Sequence, residues 1–221
     1  MSYTLYIGNK NYSTWSLRAW VLMKVTGIAF REQRLALYLP DSPARIHQVS
    51  PSSRVPCLHD AATVVWDSLA ITEYLAERHP GVWPPAARAR AWARSAAAEM
   101  HSGFGRLREE LGMNVRLRWA RTPSAAAAAD IARISELWGE GRAHFGGGGD
   151  FLCGAFSAVD AFFCPVAFRF QTYAVAVEPP AAAYCQALLA LPAMREWAAA
   201  AAQESARVPG LEPPAPAAQP Q

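Results

Sequence analysis

Residues 55–78 read VPCLHDAATVVWDSLAITEYLAER, and this stretch decides the fold. VPCLHD (55–60) and TVVW (63–66) are short β-prone runs parted by a turn at 60–62, the pattern of an antiparallel hairpin. The apolar-periodic run that follows predicts a helix from Ser68 to Arg78, stopped by His79 and Pro80. Upstream, YTLYIG (3–8) predicts a strand, Ser16 to Thr26 a helix closed by Gly27, and Phe30 to Leu39 a second strand ending at Pro40. If those two strands are parallel, the helix between them is a right-handed crossover. The order β-α-β followed by β-β-α gives a small sheet with helices packed on it over the first 80 or so residues.

Beyond HPGVWPP (79–85) the pattern becomes wholly helical. Trp92, Ala96, Met100, Phe104, Leu107 and Leu111 recur every three or four positions, as do Ile131, Ile134 and Trp138, then Val159, Phe163, Val166 and Phe170. PSAAAAAD (123–130) is helical by propensity, and GGGG (146–149) is a flexible connection. The expected organisation is a sheet domain over 1–80, an all-helical domain over 86–205 and a mobile tail over 206–221.

Composition narrows the function classes. The chain has 221 residues, 52% hydrophobic and 18% charged, with no run of roughly 18 apolar residues for a membrane span. No basic, apolar-centred leader opens it, so a cytoplasmic protein without membrane partners is expected. Cys57, Cys153, Cys164 and Cys185 show neither C-x-x-C spacing nor a matching histidine cluster; reduced thiols and no metal are expected. The net charge of +3 comes from arginines scattered along helices, a poor pattern for nucleic acid.

Val55-Pro56, Asp67-Ser68 and FSAVD (156–160), in that order, resemble the glutathione S-transferase family over most of the chain to about residue 205. The five-residue step from Ser13 to Arg18 in NYSTWSLRAW (11–20) is similar to bacterial, zeta-like serine-type members. The resemblance implies a thioredoxin-like α/β N-terminal domain, an all-α C-terminal domain, a homodimer, and glutathione as co-substrate in detoxification. It also implies a cis Pro56 that turns the Val55 backbone toward the cysteinyl backbone of glutathione. Ser68 would take the γ-glutamyl carboxylate at a helix N-terminus and Asp67 the ammonium; the usual acid there is glutamate. Ser68 also stands where a helix N-cap is expected. His47 and Arg54 are candidates for the glycyl carboxylate, Arg54 being the better placed. Ser157 and Asp160 have the spacing of a structural capping box, with Phe156 as a staple.

The chemistry follows from glutathione being a thiol whose thiolate is the nucleophile. A hydroxyl donating to S⁻ at a helix N-terminus favours the anion by roughly 1.5–3 kcal/mol. Ser13 is the first choice, Tyr12 the reserve and Ser16 the third candidate; Tyr6 lies where other classes carry a tyrosine. Trp15 stands where zeta members commonly carry a cysteine, which weakens a maleylacetoacetate isomerase assignment. Arg18 reads as solvated or ion-paired. The electrophile pocket is expected between the domains, lined by Trp15, Met100, His101, Phe104, Arg108 and Met113, with Gly103 and Gly105 marking a close approach. The leading function is transfer of glutathione to small hydrophobic electrophiles. A glutathione-dependent isomerase or peroxidase and a non-catalytic binding module are the alternatives.

Overall fold

The computed structural model describes residues 3–208 and 210–213. β1 (Tyr3–Ile7) is the first inner strand of a four-stranded sheet ordered β2-β1-β3-β4. It pairs in parallel with β2 (Phe30–Arg34) and antiparallel with β3 (Cys57–Asp60), which pairs antiparallel with β4 (Thr63–Trp66). The inner strands carry the apolar residues Leu5, Ile7 and Leu58, which are fully buried. The outer strands FREQR and TVVW are half-exposed, as edge strands with one solvated side should be. The Val55-Pro56 peptide ahead of β3 is cis.

α1 (Thr14–Val25) crosses between β1 and β2 and is buried on every face from Thr14 to Met23 apart from Trp15. It packs against β1, against α3 (Ser68–Ala76), and against α7 (Ala158–Tyr173) and α9 (Pro192–Ala202) of the helical part. α4 (Ala87–Ser102), α5 (Gly105–Glu110), α6 (Ala125–Phe145) and α8 (Pro179–Ala190) complete the helical part. A continuous apolar core runs from the sheet through α1 into the helices. At its far end Trp138 meets Phe163, Phe170 and Tyr184 at ring separations of 5.8, 5.6 and 4.9 Å.

Several sequence expectations need correction. β2 stops at Arg34 instead of reaching Leu39, and a short helix, α2 (Ser42–His47), occupies the following connection. There Ser42 Oγ accepts from Leu39 N–H and donates to the carbonyl of Ala36, so one hydroxyl closes the turn. Asp67, not Ser68, caps α3, because its carboxylate reaches Leu69 N–H at 2.8 Å and Ala70 N–H at 3.4 Å. Gly103 and Gly105 mark a break between α4 and α5: Phe104 is left-handed at φ 59°. A Cβ on Gly103 would lie 2.8 Å from the carbonyl of Glu99. At Gly103 the close approach is therefore by backbone, whereas a Cβ on Gly105 would meet nothing within 4 Å.

The segment expected to be a mobile tail is held at its start. Val208 is buried, Tyr12 donates to the carbonyl of Ala206 and to Glu212, and Asn114 Nδ2 donates to the carbonyl of Leu211. Pro209 and the tail from 214 to 221 lie outside the described residues. Among the described residues no helix is long and apolar enough to cross a membrane.

Asp160, fully buried at the first turn of α7, ties three elements together. Its carboxylate accepts from Ser157 N–H at 2.9 Å, Leu152 N–H at 3.1 Å and Tyr184 Oη at 2.8 Å. Burial nevertheless pushes its pKa up to about 6. Asp160→Ala orphans three buried donors at about 1–3 kcal/mol each; urea unfolding should show a loss of at least about 3 kcal/mol, whereas Tyr184→Phe should cost about 1 kcal/mol. A loss below about 1 kcal/mol for Asp160→Ala would refute this account.

Candidate functional site

The loop from Gly8 to Ser13 carries α1 into position. It is polar yet buried, so each of its groups requires a partner. Lys10 N–H and Asn11 N–H donate to the two oxygens of Glu204 at 2.7 and 3.1 Å. Asn9 Oδ1 accepts from Leu37 N–H, Asn11 Nδ2 donates to Asn114 Oδ1, and Asn11 Oδ1 accepts from Arg116 N–H. The loop therefore delivers Ser13 as the extended N-cap of α1. Its hydroxyl donates to Ser16 Oγ at 2.8 Å, and Ser16 Oγ in turn accepts Gly8 N–H at 3.0 Å.

Two clefts flank this point. The first, of about 500 Å³, is lined by Trp15, Ser52, Arg54, Val55, Pro56, Trp66, Asp67, Ser68 and His101. The second, about 520 Å³, contains Tyr12, Ser13, Trp15, Tyr38, Arg108, Met113 and Arg169 in its wall. Trp15, Arg54 and Val55 border both.

In the first cleft Ser68 is 1% exposed and its Oγ has no partner among the described residues. It stands in the first turn of α3, where backbone N–H groups and the helix dipole favour an anion. Val55 precedes the β3 ladder, so its backbone lies outside the sheet pairing. Asp67 Oδ2 lies 3.4 Å from His101 Nε2. Burial lowers the pKa of His101, Asp67 opposes that shift, and Arg18 and Arg108 reinforce it. The His101 ring meets Trp15 edge-on at 5.2 Å.

The second cleft is more apolar but carries cations. Arg108 donates to the carbonyls of Gly103 and Met100. Arg169 is 4% exposed and donates to the carbonyl of Leu111. Burial, with Arg108 adding to it, lowers its pKa to about 9. The Tyr12 hydroxyl, engaged by Glu212, Ala206, Arg116 and Val208, has its pKa raised by burial first and by Glu212 next.

The structure brings Ser13, Trp15, Arg54, Val55, Pro56, Asp67, Ser68, His101, Arg108 and Met113 to the two clefts. It does not bring Met100 and Phe104, which are core residues, or His47, which is exposed and bonds to Ser53 Oγ. Arg18 is not solvated, and among the described residues it is not ion-paired: it is fully buried, and its guanidinium lies 4.4 Å from the Trp15 ring centre and 4.9 Å from that of Phe162. Sequence reasoning missed Arg169 and Tyr38. The signal for Arg169 was available, since it is the one basic residue in the otherwise apolar run AFFCPVAFRF (161–170). Among the described residues no group of three or more His, Cys, Asp or Glu side chains is placed to hold a metal ion.

Residues 12–78 match the family model described as glutathione S-transferase, N-terminal domain. No curated protein matches the chain in sequence. Among solved structures, a glutathione transferase homolog from Burkholderia gl BGR1 with bound glutathione is 23% identical over 91% of this chain and 98% of its own, at a TM-score of 0.68. The theta class glutathione S-transferase of Xanthomonas axonopodis pv. citri, also with glutathione bound, is 24% identical over 89% and 96%, at 0.65. A glutathione S-transferase from Xylella fastidiosa is 20% identical over 90% and 98%, at 0.65. The chain thus has the glutathione S-transferase fold: a thioredoxin-like sheet followed by a mostly helical part.

The Asp67–His101 contact gives a titration with a definite sign. Asp67 raises the His101 pKa against the larger effect of burial, so Asp67→Asn should lower it further. Histidine resonances followed by NMR against pH should show His101 titrating below the ordinary histidine value, and lower still in the variant. An unchanged or higher value in Asp67→Asn would contradict this electrostatic assignment.

Proposed function

From the premise that its N-terminal part belongs to the glutathione S-transferase family, we propose that the protein binds glutathione in the first cleft and transfers it to small electrophiles held in the second. The observation that carries this reading is the unpartnered, buried Ser68 hydroxyl at the N-terminus of α3, facing a cleft bordered by Val55 and Pro56. A buried hydroxyl without a partner costs free energy, and a carboxylate accepting from it and from the Ser68 backbone N–H removes that cost, the N–H groups of Leu69 and Ala70 being taken by Asp67. The γ-glutamyl carboxylate is the group assigned there, with Asp67 toward its ammonium and Arg54 toward the glycyl carboxylate. The Val55 backbone pairs with the cysteinyl residue as an added strand would.

Such a ligand places its sulfur at the N-terminus of α1. Ser16, having accepted Gly8 N–H, donates back to Ser13, and the Ser13 proton turns to the sulfur. That hydrogen bond and the positive end of α1 favour the thiolate over the thiol. The thiol proton leaves to water. The thiolate then attacks the electrophilic carbon, the S–C bond forms, and the leaving group departs with its electron pair. Ser13 is preferred to Tyr12 because the tyrosine hydroxyl is already committed to Glu212 and Ala206.

In this proposal residues 1–80 bind glutathione and residues 86–205 shape the electrophile side. The protein works as a homodimer in the cytoplasm, in the detoxification of electrophiles. The four free cysteines suit a reducing compartment. Val64 and Trp66, exposed on edge strand β4, supply an apolar face for a second copy.

Ser13→Ala should lose about ten- to hundredfold in kcat with several electrophiles while glutathione affinity by calorimetry stays within about threefold, in keeping with one hydrogen bond to an anion. Unchanged turnover would remove Ser13 from the mechanism. Asp67→Ala should chiefly weaken glutathione binding, and a normal affinity would overturn the γ-glutamyl assignment.

A further inference from the structure

Cations gather at the second cleft, and among the described residues none of them forms an ion pair with a carboxylate; Asp67 and Asp130 act on Arg18 and Arg108 only through space. Arg54, Arg108 and Arg169 line it, and Arg18 lies against the ring of Trp15, which lines it too. Arg108 also approaches the Trp15 ring, at 5.0 Å. Among the described residues the hydrogen-bond acceptors of Arg18, Arg108 and Arg169 are all backbone carbonyls, those of Met100, Gly103 and Leu111. Nε and Nη1 of Arg18 are buried with no partner among the described residues. Of the Arg169 donors only Nη1 is engaged there.

Elsewhere the same chain answers its buried charges. Lys10 meets Glu32 at 2.8 Å, and Glu204, 3% exposed, meets Arg34 at 3.2 Å. Removing a guanidinium from water is costly unless it is paired, and grouping such charges adds mutual repulsion. An anion entering the cleft offsets both costs; a neutral guest offsets neither. Beside the hydroxyls of Ser13, Thr14, Ser42 and Ser53, the wall presents an apolar stretch with Tyr38, Leu39 and Met113 that suits a ring.

We infer that the second cleft selects electrophiles that carry a carboxylate, bound by Arg108 and Arg169 while the apolar body of the substrate rests on Tyr38 and Met113. This rests on the transferase reading for the identity of the neighbouring nucleophile, but the subsite itself follows from the unanswered guanidinium groups. Arg18 reaches the site through its charge and through Trp15 and is a positioning residue.

The test compares 4-chloro-3-nitrobenzoate with its methyl ester. In both, the glutathione sulfur bonds to the carbon bearing chlorine, the C–Cl bond breaks and chloride leaves with the electron pair. Each kcat/KM is divided by the rate constant of the uncatalysed reaction, because the ester is intrinsically the more reactive. Affinities of the two product conjugates are measured by calorimetry on the same protein. We expect the corrected ratio to favour the acid at least tenfold, the acid conjugate to bind at least tenfold more tightly, and both preferences to fall toward unity in Arg108→Gln and Arg169→Gln. Circular dichroism reports whether Arg169→Gln folds; Arg108→Gln, partly exposed, carries the test if it does not. Turnover with no preference for the acid overturns the subsite and leaves the transferase reading standing. Tighter binding of the acid conjugate with no turnover of either compound upholds the subsite and overturns the transferase reading. Failure of both conjugates to bind overturns both.

Discussion

Everything at the candidate site depends on a loop that is buried and polar at once. Asn9, Lys10 and Asn11 lie between β1 and α1 with almost no exposure, so the backbone cannot shift without orphaning groups that water cannot reach. Glu204 from beyond α9, Asn114 and Leu37 supply the partners. The Lys10 ammonium rests over Trp20 and Trp197 while pairing with Glu32. Gly8 leaves room for Leu37 where the loop leaves the sheet, since a Cβ there would fall 2.4 Å from Leu37 Cδ1 and oblige that side chain to shift. With the loop fixed, the N-terminus of α1 is fixed, and Ser13, Trp15 and Arg18 take their places from it.

From that anchor the two clefts acquire opposite characters although they share Trp15, Arg54 and Val55. The first offers a helix N-terminus, a free hydroxyl and a carboxylate, matching a ligand that carries both an anion and a cation. The second pairs an apolar wall with guanidinium groups. Burying α1 on all sides puts Arg18 where its charge is costly, and burial together with Arg108 and Arg169 holds its pKa well below the ordinary value. Residues after α9 contribute as well: Leu211 lines the second cleft, and Glu212 holds the Tyr12 hydroxyl.

The sheet, its hairpin and the change to helix after residue 85 were legible because periodicity and turn residues state them locally. Val55-Pro56 and Asp67-Ser68 were legible through their order along the chain. α2 was not, since its six residues carry no periodicity. The shift of the α3 cap from Ser68 to Asp67 was hidden because both residue types cap, and only the backbone at φ 74° decides between them. Met100 and Phe104 share a helical stripe with true wall residues, but Met100 lies on the buried face of α4 and Phe104 sits in the left-handed break after it. The burial of Arg18 and Arg169 depends on α1 meeting α7, a contact between residues about 150 positions apart that no local pattern encodes.

In the proposed reaction the first cleft makes a thiolate of glutathione. This step is tested most directly by following the ultraviolet absorbance of the bound thiolate against pH with glutathione saturating. The account predicts an apparent pKa about one to two units below that of a free thiol near 8.5. A bound thiol titrating at its free value would contradict it.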